Sequence, residues 1–171
     1  MHCHLIPDFY RTSLAAHGIT EIAGVPVPAW SPALAVDFMN RYSIETLVVS
    51  VSEPGVTYLG SPADRLDMAR RLNTYMSRDL VDGSAQRKGR FGGFAVLPLG
   101  RTVTAKDVSA AAAEAKRSVR ELRLDGVGLF SSYGGTIWAI PSRRQQPALP
   151  QPLLRQGLYG ERCNSRAGSD S

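Results

Sequence analysis

Thr46-Leu47-Val48-Val49-Ser50-Val51-Ser52 is the stretch on which the fold turns. A short, β-branched run that is apolar at consecutive positions predicts a strand covered on both faces, the kind found in parallel sheets. Downstream, Ser61-Pro62-Ala63-Asp64 reads as a helix start, with Ser at the cap and Pro at the first helical position. Leu66, Ala69, Leu72, Tyr75, Met76 and Leu80 follow at helical spacing until Asp82-Gly83 ends the pattern. Phe91-Gly92-Gly93-Phe94-Ala95-Val96-Leu97 is the next strand, closed by Pro98. Thr104-Ala105-Lys106-Asp107 opens an Ala-rich helix with an expected inner stripe of Val108, Ala111, Ala112, Ala115, Val119 and Leu122. Asp125-Gly126-Val127-Gly128-Leu129-Phe130 is a further strand, running into the Ser131-Ser132-Tyr133-Gly134-Gly135 loop.

Upstream, Trp30-Ser31-Pro32 starts another helix, with Leu34, Phe38, Met39 and Tyr42 on one side. Before it, Met1-His2-Cys3-His4-Leu5-Ile6-Pro7 reads as a first strand. Side chains alternate along a strand, so His2 and His4 share a face. Two neutral imidazoles converging from one strand are half of a metal site. The expected architecture is α/β: four strands separated by helices, giving a parallel sheet that is doubly wound or half of an eight-stranded barrel. In both, chemistry gathers at the C-terminal strand ends, where His2 and His4 lie.

Composition narrows the function classes. A chain of 171 residues is long enough for one domain with a real core, and 43% hydrophobic with 20% charged residues is ordinary for a soluble globular protein. No apolar run reaches membrane-spanning length and no leader pattern stands at the start. Cys3 and Cys163 are far apart and imply no disulfide framework, so a reducing cytoplasm is expected. The net charge of +5 is uneven: residues 1–136 carry 15 Lys+Arg against 13 Asp+Glu, and residues 137–171 carry 5 Arg against Glu161 and Asp170. The nearly neutral body, without basic and aromatic residues interleaved on a surface, argues against nucleic acid as partner. Gly92-Gly93 and Gly134-Gly135 form no dinucleotide or phosphate-loop fingerprint, and Ser50 and Ser52 sit on no nucleophile elbow.

Taken in order, these motifs resemble a known family. His2-Cys3-His4-Leu5-Ile6-Pro7, Trp30-Ser31, Ser50-Val51-Ser52-Glu53-Pro54-Gly55-Val56, Arg90-Phe91-Gly92-Gly93-Phe94-Ala95-Val96-Leu97-Pro98-Leu99 and Leu124-Asp125-Gly126-Val127-Gly128-Leu129 with Tyr133-Gly134-Gly135 look like the amidohydrolase-related proteins. The nearer branch is that of aminocarboxymuconate-semialdehyde decarboxylase and the metal-dependent aromatic-acid decarboxylases. The resemblance covers residues 1 to about 136. It implies the N-terminal half of a (β/α)8 barrel, about four βα units, holding one divalent metal, commonly zinc, with His2 and His4 as ligands. A later His and an Asp complete the metal site in that family, and no histidine follows His17 here. The implied activity is decarboxylation of a small carboxylic or aromatic acid, with metal-dependent hydrolysis as the alternative. The alternative of another class is a non-enzymatic, truncated fragment, inactive alone. Tyr133, at the end of the fourth strand, is a candidate substrate contact, although packing explains it as well. His17 before Gly18 reads as a loop histidine, and Asp8 and Glu53 as surface carboxylates near strand ends.

Residues 137–171 change character. Four of the 11 prolines and four of the five glutamines fall there, which interrupts helix and strand alike. The family usually continues after its Tyr-x-Gly-x loop with Leu-Gly-Asp-Pro, whereas this chain reads Ile137-Trp138-Ala139-Ile140-Pro141. If those codons are ATC TGG GCG ATC CCN, reading from the third base restores Leu-Gly-Asp-Pro. The tail is therefore expected to be disordered or out of frame, after a base inserted or lost near codon 136. A half-barrel with open sheet edges is expected to self-associate.

Overall fold

The computed structural model describes residues 1–83 and 89–133, together with the backbone of Thr136–Ile137. The chain runs through β1 (His2–His4), α1 (Asp8–Ala16), the antiparallel pair β2 (Glu21–Ile22) and β3 (Val25–Pro26), α2 (Pro32–Arg41) and β4 (Leu47–Ser50). It continues through α3 (Pro62–Tyr75), prolonged by a π-helical segment (Met76–Val81), then β5 (Phe91–Ala95), α4 (Ala105–Arg120), β6 (Gly126–Val127) and a second antiparallel pair, β7 (Ser132–Tyr133) with β8 (Thr136–Ile137). The main sheet has the spatial order β1-β4-β5-β6, every neighbouring pair parallel. Sequential parallel strands joined by helices are barrel-type βα units, four of the eight that close a barrel. The tail beyond 137 and the Gly134-Gly135 pair lie outside the described residues.

Register assigns the two faces. His2 lies beside Val48 and Val48 beside Gly92; His4 lies beside Ser50; Phe94 lies beside Gly126. With alternation, His2, His4, Val48, Ser50, Gly92, Phe94 and Gly126 share one face. Leu47, Val49, Phe91 and Ala95 point the other way and are all buried. There they meet Leu72, Met76 and Leu80 of the α3 column. A Cβ on Gly93 would come within a tight 3.2 Å of the Leu124 side chain and an ordinary 3.6 Å of the Met76 sulfur, so the glycine makes room for Leu124.

The helix starts follow the expected chemistry. Ser31 Oγ accepts from the Leu34 amide, Ser61 Oγ accepts from Ala63 and Asp64, and Pro32 and Pro62 occupy first-turn positions. Thr104 and Asp107 form a reciprocal capping box. Helix α1 is an element the sequence patterning does not predict: it begins after Pro7 with no side-chain cap and buries Tyr10 and Leu14.

Two expected stripes are corrected. On α2, Ala35 and Met39 face the core, while Leu34, Phe38 and Tyr42 are exposed. On α4, the buried residues are Asp107, Ala111, Glu114 and Ser118, and Val108 and Val119 are exposed. The cause lies on α3, which presents Arg65, Asn73 and Arg70. Arg65 donates to Asp107 at 2.9 Å. Asn73 Nδ2 donates to Glu114, to Ser118 and to the Val96 carbonyl, and Asn73 Oδ1 accepts from the Val96 amide at 2.7 Å. Arg70 and Arg117 complete the pairing of the fully buried Glu114 carboxylate. Buried polar groups persist where they are paired, and apart from Arg65 Nε those of this network have partners, so the α3–α4 seam is ionic and amide-bonded where periodicity predicts an alanine–valine contact.

Candidate metal centre

β1 is held in place at both ends. The Met1 carbonyl accepts from Val48, and the Leu5 amide donates to the Ser50 carbonyl at 3.0 Å. This presents His2 and His4 side by side, ring centroids 5.1 Å apart and planes at 84°. Both side chains are exposed, and His2 also leans on the Phe94 ring at 6.4 Å. Cys3, between them, points to the opposite face, where burial pushes its thiol upward in pKa.

The imidazoles converge on one oxygen. His2 Nε2 lies 2.8 Å and His4 Nδ1 lies 3.3 Å from Ser50 Oγ. Ser50 is the site residue that sequence reasoning discards, since it was weighed only as a nucleophile. A serine breaking the β-branched run of β4 is the available signal. Its partners, 46 and 48 positions away in the chain, emerge only from register. Next to the pair, Gly92 leaves room for Asp125: a Cβ there would lie 2.5 Å from Asp125 Oδ2, which accepts from the Gly93 amide at 2.7 Å.

The other candidates lie elsewhere. His17 caps the C-terminus of α1, its Nδ1 bonded to the Ser13 carbonyl at 2.8 Å and its ring 5.1 Å from that of Tyr58. It sits in the exposed turn that follows α1, as a loop histidine should, and the structure does not bring it to the pair. Asp8 opens α1 and pairs with Arg11 at 2.8 Å on the surface. Glu53 is exposed in the loop after β4. Tyr133 lies in β7, past the end of β6, buried against Leu97, Leu99 and Ala111. Its hydroxyl accepts from the Phe130 amide at 3.4 Å; burial raises its pKa, and that hydrogen bond opposes the rise. Tyr133 also borders a cleft of about 570 Å³ with Glu53, Arg101 and Phe130.

Two ring nitrogens on one exposed face suit a divalent cation of borderline softness. As a donor set they fit one side of a mononuclear centre. Among the described residues, no three His, Cys, Asp or Glu side chains gather to enclose one. No described helix is long and apolar enough to cross a membrane.

Comparison with known proteins finds relatives named as decarboxylases. "Decarboxylase yanB" of Aspergillus niger is 27% identical over 186 aligned positions, covering 90% of this chain and 48% of the relative. "6-Methylsalicylic acid decarboxylase acuB" of Aspergillus aculeatus is 29% identical, covering 91% of this chain and 48% of the relative. "Gamma-resorcylate decarboxylase" of Rhodococcus jostii is 36% identical over 88 positions, 52% of this chain and 24% of that protein. The chain thus spans about half the length of the first two relatives. A crystal structure of an amidohydrolase II protein superposes with a TM-score of 0.65 at 22% identity, over 82% of this chain and 42% of the other, which shows the shared fold. The family model described as amidohydrolase matches residues 1–147, and the chain therefore belongs to the amidohydrolase family.

Proposed function

We propose that this chain carries the first two metal ligands of an amidohydrolase-type site, His2 and His4, and that the activity of the lineage is decarboxylation of a small carboxylic or aromatic acid. The observation that carries the proposal is the convergence of both imidazoles on Ser50, the last residue of β4, at the end of parallel strands where active sites form. Zinc is the proposed ion, because neutral imidazole nitrogens are among its preferred ligands. When bound, such an ion supplies Lewis-acid stabilisation of the negative charge that develops as carbon dioxide leaves. The chain's own contribution is orientation: β1 and β4 fix the two rings, and Phe94 shields one side of His2. Tyr133 is proposed to border the acid's binding space. Hydrolysis by the same kind of centre is the alternative chemistry.

A second reading, of another class, is that the chain alone is a non-enzymatic fragment whose open edges, β1 and β6, favour self-association. The lack of a third ligand among the described residues favours it. On this reading 1–136 is the barrel portion and 137–171 an out-of-frame tail, in a reducing cytoplasm. Elemental analysis after dialysis tests the metal pair: near-stoichiometric zinc, absent from the His2→Ala/His4→Ala variant, is the expected result. No retained zinc overturns it. Release of carbon dioxide from 6-methylsalicylate or γ-resorcylate by the zinc-loaded chain separates the enzyme from the fragment.

A further inference from the structure

Ser50 is 9% exposed and sits in a strand of Leu and Val, a place where a hydroxyl is unfavourable unless it is hydrogen-bonded. Both ring partners of this hydroxyl are the metal-pair histidines. A hydroxyl has one proton to give and lone pairs to receive. Placed between His2 Nε2 and His4 Nδ1, it can donate to one ring and accept from the other, or accept from both. This leaves three proton arrangements. In the first, His4 Nδ1–H donates to Ser50 and Ser50 donates to His2 Nε2, so both rings are Nδ1–H tautomers. In the second, every donor reverses, and both rings are Nε2–H tautomers. In the third, both rings donate to the hydroxyl oxygen, and the tautomers differ. Whenever the serine donates to one ring, it couples the two histidines into the same tautomer.

The distances choose between the arrangements. An O–H donor makes the shorter contact and an N–H donor the longer. The 2.8 Å contact is to His2 and the 3.3 Å contact to His4, which matches the first arrangement. There the Nε2 lone pair of His4 is free, and that of His2 is engaged only by a hydroxyl that can turn away. We infer that Ser50 is the positioning residue of the pair, coupling His2 and His4 as Nδ1–H tautomers so that both offer Nε2 to a divalent cation. The inference rests on the metal reading for its purpose but not for its geometry. A hydrogen bond to the ring nitrogen that does not meet the metal, as Ser50 makes to His4 Nδ1, is the usual way a ligand imidazole's tautomer is set, and losing one typically costs about 10–100-fold in metal affinity.

The test uses the full 171-residue chain labelled with ¹⁵N in histidine, metal-free, at about pH 8 where imidazoles are neutral. Long-range ¹H–¹⁵N correlation spectra report each ring's tautomer. His17 is an internal standard, since its Nδ1 faces a carbonyl and must carry the proton. The expected result is Nδ1–H for His2 and His4, lost from both in Ser50→Ala and restored in Ser50→Thr, which keeps the hydroxyl. Zinc titration should show affinity lower by about 10–100-fold in Ser50→Ala and recovered in Ser50→Thr. Unlike tautomers, or Nε2–H on both rings of the unaltered chain, would overturn the inference without reference to any mutant's folding. So would tautomers that Ser50→Ala leaves unchanged. Coupled Nδ1–H tautomers in a chain that takes up no zinc would sustain Ser50's role while removing the metal reading.

Discussion

The two faces of the parallel sheet are built to opposite specifications. The face toward α3 and α4 is closed: Leu47, Val49, Phe91 and Ala95 are buried, and behind them every carboxylate on the α3–α4 seam has a cationic or amide partner. The other face carries two exposed imidazoles, a hydroxyl, two glycines, one valine and one phenylalanine. The first face has the composition of an interior and the second that of a site. Stability should therefore reside in one and chemistry in the other, and substitutions on each should separate the two.

The largest effect is expected at Asn73, fully buried and bonded to both the amide and the carbonyl of Val96, to Glu114 and to Ser118. Asn73→Leu keeps the volume and strands several of those groups without partners. A loss of about 3 kcal/mol follows from leaving buried polar groups unsatisfied, lowering the melting midpoint by roughly 6–12 °C for a domain of this size. A loss below about 1 kcal/mol would mean that the seam relaxes or admits water, and the contrast between the faces would fail.

Acid should act on the same face. Thr104's hydroxyl and amide, with Arg65, hold Asp107 below its ordinary 3.8 against the opposing effect of burial. For Glu114, burial alone would raise the pKa, but hydrogen bonds from Arg117 and Asn73, with help from Arg70, bring it below 4.5. Both groups titrate lower in the folded chain than in the unfolded one. The unfolded chain therefore takes up protons first as pH falls. The stabilisation is fully present above pH 4.5 and is lost as pH drops through the folded values, which lie below 3.8 for Asp107 and below 4.5 for Glu114. Denaturant midpoints between pH 6 and about pH 3 should show this fall, and Glu114→Gln should flatten part of it.

How far the sequence foretells this molecule divides along the same line. The four parallel strands and the starts of α2, α3 and α4 are legible because their signals are local, β-branched runs and Ser or Thr caps followed by Pro or Asp, whereas the two short antiparallel pairs are not. The buried side of α4 is not, because its partners lie on α3 more than forty positions away. Periodicity assigns Val108 and Val119 to the core, and only tertiary pairing shows why Asp107 and Glu114 take it. Helix α1 escapes notice for want of a cap. The His pair is legible from spacing, whereas Ser50 and Asp125 matter only through register and close approach.

Gly92 tests whether the open face has any steric demand. Its Cβ position lies 2.5 Å from an Asp125 oxygen that is tied to the Gly93 amide. Gly92→Ala should cost about 1–2 kcal/mol by crowding. Because the obstacle is the end of one side chain, Asp125→Ala should make the same substitution cheaper. A double-mutant cycle by denaturant melts should return a coupling of at least about 0.5 kcal/mol. Additive costs would show that Asp125 simply swings aside.

The smallest effect on stability should come from the residues with the most chemistry. His2→Ala/His4→Ala removes both partners of the Ser50 hydroxyl, yet the rings are exposed and their departure opens that hydroxyl to water. Exchanging a protein hydrogen bond for a water one changes folding free energy by no more than about 1 kcal/mol. The double variant should therefore melt within a few degrees of the parent, measured without metal. Adding zinc sharpens the comparison, since an ion that binds only the folded state raises its melting midpoint. The parent should gain stability with zinc and the double variant should not. If instead the variant collapses without metal, the histidines are structural supports of β1, and the division of labour between the two faces is wrong at its most important point.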